Sequence, residues 1–359
     1  MFCLDSSGLH VLSVAWTTTA CHPTIMHQTG LSSGLKATAS LSYQYGGLHR
    51  KGSWVDLLPT SWIPYIQLCR LSPPAGLFLI YFAPVFGVFH AAATHHRPAH
   101  EVVHACTVLL VASFFGNNAS HAWNDLVDAD IDARIERTKT RPIPRGAIAP
   151  GAAFVFAVTQ LLGLGCSLLL FLPPTAALAA VPEILATIYY PWAKRHTHLP
   201  QLVLGFCLTW SIMVGSCAMG VGVPWGDRST ILLLLAAVLW VVIFDTVYAH
   251  QDLVDDVKIG VKSTAVLLKR HRRTTARAVL SVLVLAMASA LFGCGYYGGF
   301  GIAYHILSVG GCLASVGSMV TLVDLDDPAS CWTWFSQGFW LTGLVICGGL
   351  LVEYALQTV

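Results

Sequence analysis

The sequence predicts an all-α polytopic membrane protein, with about nine transmembrane helices in one bundle around a central cavity that opens to the cytosolic side. Of the 359 residues, 55% are hydrophobic and only 11% are charged. Soluble globular domains carry about 25% charged residues, so this composition excludes that class. The formal net charge of +2 gives no sign of a nucleic-acid partner, and we expect a lipid bilayer as the surroundings.

Apolar runs of about 20 residues follow one another along the chain, and each can cross about 30 Å of hydrocarbon as a helix. Proline or glycine marks several of their boundaries, for example at Pro173, Pro200, Pro224 and Gly298. The predicted helices are 75–96, 101–123, 151–172, 174–192, 200–222, 229–249, 277–296, 299–323 and 333–355.

Basic residues predict the orientation of these helices. Lys and Arg gather between the second and third runs, between the fourth and fifth, and from Lys258 to Arg277, whereas the opposite loops hold only Arg97 and Arg228. The positive-inside rule therefore places the basic loops in the cytosol, or in the matrix if the protein is mitochondrial.

Residues 1–56 are rich in Ser, Thr, Gly and His and show no sustained periodicity, so we expect a mobile, disordered leader. Lys36, Arg50 and Lys51 are too few and too late for an Arg-rich transit peptide. An endomembrane location, ER or Golgi, is therefore favoured, with the mitochondrial inner membrane as the alternative. Residues 57–359 form the predicted membrane domain.

Two acidic segments, 124–132 and 248–256, each lie at the end of an apolar run. Carboxylates at a membrane boundary are costly and are usually retained because they pair with something, here best a divalent cation. On a helix Asp128 and Asp132 face the same way, as do Asp252 and Asp256, so each pair can present oxygens to one ion. Two acidic clusters that share Mg²⁺ suggest a diphosphate substrate.

Several motifs in this order resemble the UbiA family of intramembrane aromatic prenyltransferases, over residues 57 to the C-terminus. They are Asn124-Asp125-x-x-Asp128-x-x-x-Asp132, Glu136 to Pro142, Tyr190-Pro191-Trp192-Ala193-Lys194-Arg195, Asp245-Thr246-x-Tyr248-Ala249, and Asp252-x-x-x-Asp256 followed by Lys258 to Thr264. The sequences from Ala122 to Ala129 and from Arg141 to Ile148 resemble those of the family branch that makes fungal meroterpenoids.

The resemblance implies Mg²⁺ as cofactor, a prenyl diphosphate and an aromatic acid as substrates, and specific roles for the motif residues. Asp125 and Asp255 are expected as supporting neighbours of the metal-binding acids. Tyr190 is expected to stabilise the allylic cation, Arg195 to hold the acceptor carboxylate, and Tyr248 to orient Asp252 or to contact the prenyl chain. The catalytic set is Asn124, Asp128, Asp132, Tyr190, Asp252 and Asp256; the metal set is Asp125, Asp128, Asp132, Asp252 and Asp256; the substrate-binding set is Arg137, Lys194, Arg195 and Tyr248.

The predicted reaction is Mg²⁺-dependent transfer of a prenyl group, farnesyl above others, to an aromatic carbon of an orsellinic-type phenolic acid in meroterpenoid biosynthesis. Polyprenyl transfer to 4-hydroxybenzoate for ubiquinone is the alternative. An ion or metabolite carrier is a remote third, because carriers usually place acids near the bilayer midplane, whereas these acids cluster at helix ends. The sequence indicates no protein partner.

Overall fold

The structure is a computed structural model that describes residues 46–49, 51–269 and 273–358. Most of the predicted leader, residues 1–45 and 50, lies outside the described residues. Its last three residues lie within a short 3₁₀ helix, Trp54–Leu57, in which Val55 is fully buried. The boundary at residue 56 stays a prediction.

The described residues form an all-α bundle, as the composition predicted. Short helices lie at the loops and long ones form the body. In chain order the helices are α1 Ile63–Leu68, α2 Ala75–Thr94, α3 Ala99–Val127, α4 Ala129–Asp132, α5 Pro150–Phe171, α6 Pro174–His196, α7 Pro200–Thr209, α8 Ser211–Ala218, α9 Arg228–Ala249, α10 Leu253–Ile259, α11 Thr264–Lys269, α12 Arg273–Gly298, α13 Ile302–Tyr304, α14 Gly311–Leu322 and α15 Pro328–Thr358. A π-helical segment, His305–Gly310, joins α13 to α14.

Within the described ranges, eight segments are long and apolar enough to cross a membrane, and they match eight of the nine predicted runs. The remaining run, 174–192, forms α6, and its mean hydropathy is lowered by Pro182, Glu183 and a pair of tyrosines. At 23 residues α6 is about 34 Å long, enough to span the hydrocarbon. It packs against α3, α5, α7 and α8, and it reverses the chain between α5 and α7.

Aromatic side chains fill the centre of the bundle, where Phe82, Phe86 and Phe244 surround the buried Trp240 with ring centroids 5.5 to 6.2 Å from it. Glycine lets two helices cross closely at one point. A Cβ atom at Gly215 of α8 would run into the carbonyl oxygen of Pro84 in α2. This crossing brings the backbones of α2 and α8 into close contact.

The second apolar run was predicted to end at 123, but α3 continues through Val127. Asn124 and Asp125 therefore lie on the last turn of a long helix, and Asp128 is its C-cap. The prediction of helical spacing holds across the break, because the Asp132 amide donates to the Asp128 carbonyl at 2.8 Å. The last turn of α3 thus leads directly into α4 and sets the direction of both acids.

Candidate active site

The two acidic segments lie at the same end of the bundle, although more than a hundred residues separate them in the chain. Asp128 and Asp132 follow α3, whereas Asp252 caps α10 and Asp256 lies on that helix. The Asp256 amide donates to the Asp252 carbonyl at 2.8 Å, which repeats the arrangement of the first pair. All four acids line one cavity of about 210 Å³.

Basic side chains join the two segments across this cavity. Arg137, in the loop after α4, donates from Nε to Asp252 Oδ1 at 2.9 Å and from its terminal nitrogen to Oδ2 at 2.5 Å. Lys194, on the last turn of α6, donates to Asp128 Oδ2 at 3.0 Å. Such forked pairing of a guanidinium with a carboxylate fixes its plane as well as its position. The two predicted substrate-binding cations therefore reach the acids of both motifs.

A second basic cluster lies beneath the first motif. Asp125 is fully buried and accepts from Arg70 at 2.7 Å and from Arg141 at 3.2 Å, while Arg141 also donates to Asp132 at 2.7 Å. Arg70 has φ of 54°, a left-handed conformation that is rare outside glycine and that the Asp125 contact helps to hold. Asp125 is absent from the cavity wall, so its predicted part in metal binding stays a prediction.

Burial and neighbouring charges act differently on Asp132, Asp252 and Asp256. Burial raises the pKa of Asp132 against the lowering effect of Arg141. Burial also opposes ionisation of Asp252, but Arg137, Arg141 and Lys194 together lower the pKa of this carboxyl group. Burial and the charge of Asp252 raise the pKa of Asp256 to about 7. Asp252 is therefore held as a carboxylate. Ionising Asp256 costs free energy, because this group is buried beside the negative charge of Asp252.

The aromatic residues of the prediction lie at the cavity, with cations over their rings. The Lys194 ammonium lies 5.1 Å from the Tyr190 ring centroid, and the Arg137 guanidinium lies 5.2 Å from that of Tyr248. Both tyrosines line the cavity wall. A ring face that attracts one cation offers the same electrostatics to another, such as an allylic carbocation.

Arg195 lies apart from this group. Its side chain is 41% exposed, donates to the Val127 carbonyl at 3.0 Å and comes no closer than 3.9 Å to Asp128. It is missing from the cavity wall, so its proposed contact with an acceptor carboxylate stays a prediction.

Sequence reasoning gave no role to several polar residues that line the cavity, among them Arg70, Arg141, Gln201 and Asp245. Arg141 stood inside a quoted motif, so its place in the resemblance was a usable signal. Arg70 and Gln201 carried no such signal, because their partners lie far away in sequence. Gln201 accepts from the amide and hydroxyl of Thr264 at 3.0 and 2.8 Å and thereby ties α7 to the start of α11.

The donor set of the cavity suits a hard divalent cation. The side-chain oxygens Asn124 Oδ1 and Asp128 Oδ1 are buried and accept no hydrogen bond from any described residue. They lie one helical turn apart, and Mg²⁺ prefers carboxylate and amide oxygens. In the described part of the chain, Asp128, Asp132 and Asp252 pair with basic side chains, and the carboxylates do not form a ready-made metal cluster. Asn124, Asp128, Asp132, Asp252 and Asp256 are the residues that could hold it.

Comparison with known proteins agrees with this site. The profile of the UbiA prenyltransferase family matches residues 80–344. A protein named DMOA farnesyltransferase nvfB, from Aspergillus novofumigatus, is 33% identical over 316 residues, which cover 88% of this chain and 98% of that one. The mitochondrial 4-hydroxybenzoate polyprenyltransferase of Saccharomyces cerevisiae is 32% identical over 313 residues, covering 85% and 80% respectively.

Solved structures share the fold. A UbiA homologue from Archaeoglobus fulgidus, bound to DMAPP and Mg²⁺, aligns with a TM-score of 0.60 at 15% identity, covering 82% of this chain and 99% of that one. A second homologue, from Aeropyrum pernix, gives 0.58 at 24% identity, covering 76% and 97%. Both are helical like the bundle described above. The chain therefore belongs to the UbiA prenyltransferase family and is an integral membrane enzyme of aromatic prenyl transfer.

Proposed function

We propose that the enzyme transfers a farnesyl group from farnesyl diphosphate to an aromatic carbon of an orsellinic-type phenolic acid, as a step in meroterpenoid biosynthesis. The observation that carries the reaction type is the facing of two acid pairs across one cavity, with Arg137 and Lys194 between them. Acids and cations in this arrangement suit a diphosphate group with its counterions.

The leaving diphosphate gains negative charge as its bond to the allylic carbon breaks, so the site must stabilise that charge. Bound Mg²⁺ supplies Lewis-acid stabilisation of the leaving group. Arg137 and Lys194 add hydrogen-bonding cations that are already oriented by Asp252 and Asp128. The two carboxylates keep both donors at the cavity, and once the donors have turned to the diphosphate each can contribute several kcal/mol, of the order of 2 to 4.

The apolar side chains of the cavity suit the prenyl chain. They include Leu79, Leu208, Phe244 and Phe335. This apolar wall keeps water from an allylic cation, which would otherwise be hydrolysed to the alcohol. Tyr190, which lines the same cavity, offers its ring face to that cation. The acceptor carbon attacks the cation there, and the ring proton then passes to the released diphosphate.

The named relatives support the choice of substrates. The Aspergillus relative is named a farnesyltransferase and aligns over almost its full length. The second candidate is polyprenyl transfer to 4-hydroxybenzoate, favoured by the similar identity to the yeast protein. Its name also supports a mitochondrial location, whereas our proposal places this chain in endomembranes with both acidic motifs facing the cytosol.

One assay separates the two candidates. Purified protein in lipid nanodiscs receives geranyl, farnesyl or longer prenyl diphosphates together with orsellinic acid or 4-hydroxybenzoate, with Mg²⁺ or with EDTA. We expect the farnesyl and orsellinic pair to give the highest kcat/KM, with a carbon-linked product identified by mass spectrometry and NMR. Preference for 4-hydroxybenzoate with a longer chain would establish the second candidate, and no prenylated aromatic product with any pair would refute both.

A further inference from the structure

A second cavity, of about 310 Å³, lies beside the active site between α3, α5 and α6. Its outer wall includes Phe154, Val158 and Leu161, which are 37 to 49% exposed and face the lipid side of the bundle. The indole of Trp123 bounds it and donates to the Ile188 carbonyl at 3.0 Å. The volume suits a small organic molecule rather than a few waters.

Glu183 is the unexpected side chain in this mostly apolar cavity, because it is the one acidic residue among those that line it in the described part of the chain. It lies near the middle of α6, so it falls within the span that crosses the membrane. No hydrogen bond or ion pair to it is found among residues 46–49, 51–269 and 273–358. Ionisable groups at this depth are rare and usually mark a functional site. The mechanism described above uses no group at this position.

The two cavities share a wall. Ser120, Thr187, Tyr190 and Leu208 line both of them. On α6, Glu183, Thr187 and Tyr190 follow one another at helical spacing and therefore form one stripe. From Glu183 to Tyr190 the stripe is about 10 Å long, close to the length of a substituted single aromatic ring. A molecule lying along it reaches the point where the allylic carbon is expected.

We infer that the second cavity binds the phenolic acceptor and that Glu183 accepts a hydrogen bond from a hydroxyl group of that acceptor. This inference rests on the proposed function, since it assigns the second substrate of the same reaction. Glu183 is then a specificity-determining residue: it selects aromatic rings that carry a hydroxyl group on the side away from the diphosphate.

The prenyl chain is the competing occupant of this cavity, and the chemistry of the walls decides between them. The active-site cavity already offers apolar walls to a hydrocarbon chain, among them Leu79, Phe244 and Phe335. A hydrocarbon chain in the second cavity would bury the Glu183 carboxyl against methyl groups, which leaves a polar group unsatisfied. A phenol satisfies the same carboxyl with its hydroxyl and fills the apolar walls with its ring.

The test compares Glu183→Ala with wild type on acceptors that lack one hydroxyl group. We expect the variant to lower kcat/KM for orsellinic acid about 10- to 100-fold, the loss typical of leaving one buried hydroxyl group without its hydrogen-bond partner. KM for farnesyl diphosphate and the length of the chain transferred stay unchanged. With one of the two deoxy analogues, wild type and variant should react equally, because the group that Glu183 binds is missing. Glu183→Gln, whose amide oxygen still accepts, should recover part of the activity.

Leu185→Ala is the matched control, since Leu185 lies on the same helix and is 62% exposed on its outer face. It should react like wild type with every acceptor. Equal losses by Glu183→Ala on all acceptors, or transfer of longer prenyl chains by the variant, would overturn the inference, and the latter would assign the cavity to the prenyl chain. Failure of wild type to prenylate any phenol would refute the proposed function instead.

Discussion

Replacing Asp256 by Asn should lower the activity of the enzyme and at the same time raise the stability of its fold. The side chain is 7% exposed and lies beside Asp252. It makes no ion pair with any residue in the described ranges. Its pKa is raised from 3.8 to about 7, so the folded protein binds a proton more tightly than the unfolded chain does. Stability contributed by this group is therefore fully present below pH 4 and is lost as the pH rises to 7.

The size of this effect follows from the shift. About three pKa units correspond to about 4 kcal/mol, the cost of ionising Asp256 in the metal-free protein above pH 7. Asn keeps the shape but carries no charge, so the variant avoids that cost. We expect its melting temperature in EDTA at pH 8 to rise by several degrees, while Mg²⁺-dependent turnover falls at least about 100-fold because an anionic oxygen is lost.

Asp252→Asn is the contrasting variant. It removes the partner of Arg137, whose side chain is only 7% exposed, and an orphaned buried cation costs about 3 to 5 kcal/mol. This variant should lose activity as well, but its melting temperature should fall. Both are measured in nanodiscs by thermal unfolding and by diphosphate release. Turnover of Asp256→Asn within tenfold of wild type, or melting as low as that of Asp252→Asn, would contradict the reasoning.

Four further outcomes are expected. Asp128→Ala should abolish turnover at unchanged membrane abundance, because it removes an oxygen proposed for the metal; activity within tenfold of wild type would exclude this role. Arg195→Ala should raise KM for the acceptor and leave KM for the prenyl diphosphate unchanged, since a lost bidentate pair costs about 2 to 4 kcal/mol; the reverse pattern would place it on the diphosphate. Gly215→Ala should prevent folding because its Cβ meets the backbone of α2, whereas Gly165→Ala, with open space around it, should be tolerated in a detergent melting assay. Deleting residues 1–50 should leave a fluorescent fusion in endomembranes, and loss of a mitochondrial signal on deletion would favour the ubiquinone reaction.

Hydropathy was enough to predict the long helices, and residue spacing was enough to predict that the acids of each motif are one helical turn apart. Apolar runs of membrane length have few alternatives, because every backbone group must be satisfied within the hydrocarbon. The paired acids Asp128 and Asp132 kept the helical register that their spacing predicted, even though a helix ends at the first of them. The pairing of Arg137 with Asp252 brings the two motifs together as the resemblance implied.

Other parts of the site depend on contacts that no local pattern encodes. Arg70 reaches Asp125 across 55 residues, and its left-handed backbone conformation has no signature in a non-glycine residue. Glu183 stands alone in an apolar run and belongs to no sequence motif. Only the packing of α3, α5 and α6 reveals that it faces a cavity. Long-range pairing of this kind depends on the completed bundle.

The ion pair between Arg137 and Asp252 means that a carboxylate of the enzyme competes with the substrate diphosphate for the same guanidinium group. In the proposed reaction an incoming diphosphate takes hydrogen bonds that a tethered carboxylate already holds. That carboxylate never diffuses away, so its effective concentration beside the guanidinium stays high. When the released diphosphate dissociates from Arg137, Asp252 can form its hydrogen bonds with the arginine again. We therefore expect the contact between Arg137 and Asp252 to favour release of the product as well as to orient the arginine.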